Sequence, residues 1–259
     1  MDLKHNYHTH TSRCNHADGA DAEYAAAAFE AGLKTLGFSD HAPQIGFPDG
    51  TYSWYRMKPE ETAEYVSSVR RLADEYKGKM NIYCGFELEY YPEMFDATID
   101  FLRPYAPDYV ILGQHFIHNE HDGIYSADNL TCEQFLIYCD QVCTAIKTGR
   151  YTYLAHPDLV FPPDDREKYL FGMEKICKAA KEEDIPLEYN LLGLAGKRAY
   201  PTKRFFELAA EHGNKVILGL DAHTPTAFAW DEHVNTAINT LKSLGITPIG
   251  EAELRNPIK

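Results

Sequence analysis

His8 and His10 are separated by one residue at the end of a short run, positions 3–7, that can form a strand. Strand side chains alternate faces with a period of two, so both imidazoles would point the same way. Two neighbouring imidazoles fill a core poorly but clamp a borderline divalent ion well. The same placement recurs down the chain. Residues 35–38 run into Asp40 and His41, 81–86 into Glu87, and 108–113 into His115. Residues 151–155 close on His156, and 215–220 on Asp221 and His223. One further run, 185–189, delivers Asn190 instead. In barrels where strands alternate with helices, the C-terminal strand ends converge on one mouth, and chemistry collects there. These side chains are therefore expected to meet in one constellation.

The segments between the runs have the patterning of helices: 20–34, 59–77, 93–102, 131–147, 166–183, a stretch ending near 212, and 232–243. Pro59 suits a first helical turn, and Gly78 and Gly149 are stop signals. The expected fold class is α/β, one barrel domain over residues 1–259, with no interdomain linker. Two connections stand out. Loop 43–58 is longer than the usual limit of about 12 residues and carries Phe47, Tyr52, Trp54, Tyr55 and Arg56. It reads as a loop with its own apolar cluster or as a flap over substrate. Loop 191–201 combines glycines with Lys197 and Arg198 and can cradle a phosphate, although it has neither a Walker nor a dinucleotide pattern. His118 and His121 follow the fourth run, and His118 is a candidate substrate contact. His16, taken alone, is an ordinary loop histidine.

A formal net charge of −14 disfavours a nucleic acid gripped over a broad surface. A small anionic substrate remains compatible with it, because bound divalent ions invert the local charge. No run reaches the roughly 18 to 20 apolar residues of a membrane span, so no membrane partner is expected. The N-terminus has no signal-peptide pattern, and the six cysteines form no CxxC pair. Reduced thiols and a cytoplasmic location follow as expectations. Cys139 and Cys143 share a helical face and read as core; Cys14 lies near the clamp, where an extra ligand would lie. Oligomeric state is left open.

Taken in order, H-x-H at 8–10, S-D-H at 39–41, G-F-E at 85–87, Q-H at 114–115, H-P-D at 156–158 and D-A-H at 221–223 resemble the motifs of the PHP (polymerase and histidinol phosphatase) family. The likeness covers positions 7–224 and is to the stand-alone histidinol phosphatase branch, including Phe116-Ile117 and Tyr200-Pro201. It implies a distorted (β/α)7 TIM-like barrel with three divalent transition-metal ions at the C-terminal ends of the strands. His8, His10, Glu87 and Asp221 would hold the first ion. Glu87 would bridge to a second, completed by His115 and His156, and the third would take His16, His41 and His223. The place of His16 rests on the resemblance alone. Zn, Mn, Fe or Co would suit such mixed imidazole and carboxylate donors.

The implied activity is metal-dependent hydrolysis of a small phosphomonoester, L-histidinol phosphate first, as in histidine biosynthesis. Arg198 is the candidate catalytic cation, with Lys197, Trp54 and His118 as further substrate contacts. Glu120, Asp122 and Asp128 are available to an amine. The chain departs from the branch at Phe161-Pro162-Pro163, where a basic residue is common, and at Leu220, where a small polar residue often stands. The Lys197-Arg198 loop is also one residue longer. Alternatives are a PHP phosphoesterase acting on another phosphorylated metabolite, an amidohydrolase, or a metal-binding module without activity. Amidohydrolases share the opening H-x-H but use eight strands and a modified lysine where this chain has His115.

Overall fold

Parallel pairing of short apolar strands organises the chain in a computed structural model that describes residues 3–48 and 51–258. Positions 49–50 of loop 43–58, and residues 1, 2 and 259 of the expected domain, lie outside the described residues. β1 (His5–Asn6), β2 (Thr35–Phe38), β3 (Asn81–Glu87) and β4 (Tyr109–Ile111) form a parallel sheet in that order. β5 (Phe116–Ile117) and β6 (Ile124–Tyr125) form an antiparallel hairpin after β4, which the sequence did not announce. β7 (Leu187–Asn190) and β8 (Val216–Gly219) make a second parallel pair. Isolated parallel bridges join Leu112 to Leu154, Leu154 to Leu187, and Thr9 to Ala222. The sheet is thus curled, and the segment after β8 returns to the segment after β1.

Residues 151–155, expected as a regular strand, pair on both sides without forming a continuous ladder. Thr152 N donates to Val110 O at 2.8 Å, and Leu154 N donates to Pro186 O at 3.0 Å. Ala155 N still donates to Leu112 O at 2.8 Å, and the chain then turns at His156, whose φ is +28° and whose N–H donates to Glu188 Oε2 at 2.9 Å. The helices fall near their expected places: α1 (Asp21–Glu30), α2 (Thr62–Glu75), α3 (Phe95–Leu102), α4 (Cys132–Lys147) and α5 (Arg166–Glu182). The glycine-bearing loop after β7 opens instead as a short helix, α6 (Leu191–Ala195), capped by Asn190 Oδ1 accepting from Gly193 N at 2.8 Å. α7 (Lys203–Glu211) and α8 (Asp231–Ser243) complete the set. No helix of the described residues is long and apolar enough to cross a membrane.

Period-two alternation divides the core. Val110 and Leu112 join the large apolar cluster packed against the helices, whereas Tyr109 and Ile111 join a separate cluster with Tyr7, Tyr153, Ala155 and Ile217 on the other face. Tyr109 fills that inner space. A Cβ on Gly85 would come within 2.5 Å of its ring, and one on Gly37 within 2.9 Å of the Tyr7 backbone, so both strands need glycine there. Tyr109 Oη donates to Tyr7 O at 2.6 Å and to Phe38 O at 3.1 Å, tying three strand segments together beneath their ligand-bearing ends.

Candidate metal centre

Four side chains delivered by three separate segments meet at one point. His8 Nε2 and His10 Nε2 lie 3.2 Å apart, as the alternation of the strand requires. Glu87 Oε2 is 3.6 Å from His8 Nε2 and 3.4 Å from His10 Nε2. Asp221 Oδ1 is 3.4 Å and 3.2 Å from the same two nitrogens. Ligands about 2.0 to 2.2 Å from a tetrahedral ion stand roughly 3.3 to 3.6 Å from one another. These atoms could therefore hold a divalent ion where they are. Asp221 Oδ1 is buried and accepts no hydrogen bond, which would be costly for a carboxylate oxygen that had no cation to face.

Glu87 spans a wider area than this one cluster. Its Oε1 lies 2.8 Å from His156 Nε2 and 3.8 Å from His115 Nε2, while its Oε2 also lies 3.1 Å from His41 Nδ1. The imidazoles of His16, His41 and His223 approach closely enough to offer one nitrogen each within 4.8 Å of the others. His223 also stacks on His10 at 4.1 Å between ring centroids. Cys14, fully buried, belongs to another grouping that could hold an ion, with His10 and His223. All nine ligand positions singled out from the sequence thus lie around Glu87 and the two strand-end imidazoles.

The electrostatics separate two kinds of histidine. Burial by itself would lower His8, but Asp221, Glu188 and Glu87 overcome it and lift it to about 10. Burial pushes His41 well down, and burial together with the His10 charge pushes His223 to about 3. Burial would raise Glu87, yet His41, His8 and His115 keep it well below the usual carboxylate range. Asp221, Glu188 and Glu87 thus favour positive charge at His8, and a cation held there would meet the same attraction. Asp221 and His156 are also non-glycine residues at φ +50° and +28°, the kind of backbone outlier that clusters at functional sites.

Two supporting carboxylates, Glu188 and Glu89, escaped the sequence analysis, and Asn190 and Asp40, named there only as residues that close apolar runs, support the cluster with them. Glu188, fully buried on β7, takes His8 Nδ1 at 2.8 Å and Asn190 Nδ2 at 2.9 Å. Asn190 Nδ2 lies 3.0 Å from Asp221 Oδ2, so one amide joins the two carboxylates. Glu89 accepts from His115 Nδ1 at 2.9 Å. Asp40, buried beneath His10, accepts from the Thr11 hydroxyl. The signal for Glu89 was present: Glu87-Leu88-Glu89 repeats the spacing of His8 and His10. An acid inside the apolar stretch 185–189 was the corresponding signal for Glu188.

A cavity of about 610 Å³ opens beside the cluster, with Trp54, Tyr55, Phe116, Tyr125, Arg198 and Tyr200 among its walls. That volume suits a small metabolite. Arg198 Nη1 donates to Tyr200 Oη at 2.9 Å, which aims the guanidinium along the wall. Lys197 is exposed and does not line this cavity. His118, expected as a substrate contact, lies instead on a separate cavity of about 310 Å³ with Glu93 and Asp122. The hairpin carries it away, with φ at +65° and its N–H bound to Gln141 Oε1 at 2.9 Å. Glu120 is not available to an amine either, because Arg56 Nε reaches it at 2.7 Å and Tyr55 donates to it. Within loop 43–58, Trp54 and Tyr55 pack edge to face at 5.8 Å between ring centroids, and both line the cavity.

The PHP domain family profile matches residues 6–191. A Deinococcus radiodurans protein named probable histidinol-phosphatase is 29% identical over 84% of this chain and 85% of its own length. Bacillus subtilis histidinol-phosphatase is 24% identical over 85% of this chain and 93% of its own length. Among solved structures, the Lactococcus lactis histidinol phosphate phosphatase complexed with zinc, L-histidinol and phosphate superimposes with a TM-score of 0.71. That match covers 99% of this chain and 98% of that one at 17% identity, a likeness of fold.

Proposed function

The chain belongs to the PHP domain family, and from that premise we propose that it is a metal-dependent phosphatase acting on a small phosphomonoester, L-histidinol phosphate foremost. The observation that carries the reading is that His8 Nε2 and His10 Nε2 lie 3.2 to 3.6 Å from each other, from Glu87 Oε2 and from Asp221 Oδ1, beside an open cavity. The fold is read as a distorted (β/α)7 barrel in which residues 151–155 supply the irregular member. Three divalent ions are assigned. His8, His10, Glu87 and Asp221 would hold one; Glu87, His115 and His156 a second; His16, His41 and His223 a third. Zinc, manganese, iron and cobalt all suit the donors.

When bound, such ions polarise phosphoryl oxygens and bring a bound water near neutral pKa, which supplies the nucleophile. The protein's own groups do the rest. Arg198, held by Tyr200, offers a planar fork of donors to the phosphoryl oxygens. Trp54, Tyr55 and Phe116 give flat faces to an imidazole ring. Glu188 and Glu89 fix the rings of His8 and His115 through their Nδ1 atoms, leaving each Nε2 turned inward. A cytoplasmic location accords with six free cysteines.

The test is kcat/KM for L-histidinol phosphate against neutral sugar phosphates and nucleotides, with one metal throughout. An advantage of at least tenfold, about 1.4 kcal/mol in transition-state binding, is the predicted result. A flat profile would remove the named substrate, and no release from any phosphomonoester would remove the phosphatase reading itself.

A further inference from the structure

Arg56 lies on loop 43–58, yet its side chain is only 4% exposed, a rare state for a cation on a long connection. Its guanidinium reaches three separate places. Nη1 donates to Ala42 O at 2.6 Å, next to His41. Nη2 donates to Glu89 Oε2 at 2.8 Å, and the other oxygen of that carboxylate holds His115 Nδ1 at 2.9 Å. On the far side, Nε and Nη2 form a two-pronged pair with Glu120 at 2.7 and 2.6 Å. Glu120, from the β5–β6 hairpin, in turn accepts from the hydroxyl of Tyr55. The Tyr55 ring then packs on His41, His115 and Phe116 at centroid distances of 5.4, 6.4 and 6.1 Å.

We propose that Arg56 is a positioning residue that makes two arrangements one: the seating of the Trp54-Tyr55 wall over the cavity and the setting of His115 toward the metal cluster. The proposal rests on the reading of that cluster as a metal centre. A buried guanidinium cannot leave either carboxylate without stranding that carboxylate as a buried charge. Breaking a buried pair costs more than the pair contributes, because the remaining charge is left uncompensated. With Glu89 on one side and Glu120 on the other, the wall cannot lift while Glu89 stays fully bound by Arg56. Release of the wall therefore loosens His115, and an ordered His115 favours the closed wall. Arg rather than Lys is needed, because only the planar fork serves both carboxylates and the Ala42 carbonyl together.

The variants separate the two sides of the link. Glu120→Gln frees the wall but leaves the Arg56–Glu89 pair in place, Arg56→Met removes both of the Arg56 pairs, and Arg56→Lys keeps the charge without the fork. Each is loaded with cobalt(II), and three quantities are read: cobalt affinity by chelator competition, the visible absorption of the bound cobalt, and the Trp54 fluorescence response to inorganic phosphate in a Trp230→Phe background. Removal of a partner that orients a ligand typically costs roughly tenfold to a hundredfold in metal affinity. Arg56→Met is expected to show that loss with an altered cobalt spectrum and a blunted phosphate response. Glu120→Gln is expected to weaken the phosphate response about tenfold and cobalt affinity less, and Arg56→Lys to fall between wild type and Arg56→Met.

Wild-type cobalt affinity and spectrum in Arg56→Met would overturn the proposal. So would a Glu120→Gln protein whose phosphate response is unchanged, an outcome that remains readable should Arg56→Met not fold. None of these quantities needs phosphate release, so failure of the phosphatase reading and failure of this link are distinguishable.

Discussion

His8 Nδ1 lies 2.8 Å from Glu188 Oε1, and both side chains are fully buried. The carboxylate fixes which ring nitrogen faces the cluster and how basic it is. Glu188→Gln should therefore lower metal affinity roughly tenfold to a hundredfold while keeping the fold, since the amide is the same size. Chelator competition on the folded variant measures this, and an unchanged affinity would show that His8 is oriented by its neighbours alone.

Glycine at 219 is required by the same pair. A Cβ there would stand 1.7 Å from Glu188 Oε1, closer than any atoms can pack. Gly219→Ala should cost about 1 to 3 kcal/mol, the usual range for overpacking, and weaken metal binding as Glu188 is displaced. Gly250, with nothing within 4 Å of its Cβ direction, is the control, and Gly250→Ala should be close to neutral. Equal denaturation midpoints for the two variants would mean that Glu188 has room to move.

Much of this was legible in the sequence, and the limits have physical causes. Strand alternation and the convergence of strand ends follow from local geometry, so His8, His10, His41, Glu87, His115, His156, Asp221 and His223 could be grouped before any coordinates. Glu188 and Glu89 do not close an apolar run: Glu188 lies two positions before the end of β7, and Glu89 two positions beyond the end of β3. His118 was misplaced because the hairpin β5–β6 is only two residues per strand and leaves little periodicity to detect. Arg56 and Glu120 are 64 positions apart, and nothing local announces that they pair. The irregular segment 151–155 reads as a strand because its composition is that of one; the turn at His156 is held by a hydrogen bond from its N–H to Glu188, 32 positions away, which nothing local announces.

Glu87→Gln tests the bridging carboxylate. Both oxygens of Glu87 face imidazoles, Oε1 toward His156 and Oε2 toward His41, His8 and His10. An amide keeps the shape but offers one acceptor oxygen and no charge. Turnover should fall to background with the far-ultraviolet circular dichroism unchanged. Turnover near wild type at saturating metal would show that Glu87 bridges nothing.

Arg198→Ala addresses phosphate recognition. The side chain lines the cavity and is steadied by Tyr200. Loss of one charged hydrogen bond is worth about 1.5 to 3 kcal/mol, so kcat/KM should drop roughly tenfold to a hundredfold. Metal content should not change, since Arg198 is none of the nine assigned ligands and hydrogen-bonds to Tyr200. Lys197→Ala, on an exposed residue outside the cavity, should have little effect. The reverse order of severity would reassign the phosphate-binding cation.

The most direct measurement is phosphate release from L-histidinol phosphate as metal is added back to stripped protein, with bound metal per chain determined at each point. No turnover is expected without metal, and activity should rise to its full value as occupancy approaches three ions per chain. Full turnover in metal-free protein, or three ions bound with no phosphomonoester hydrolysed, would contradict the metal-dependent phosphatase reading.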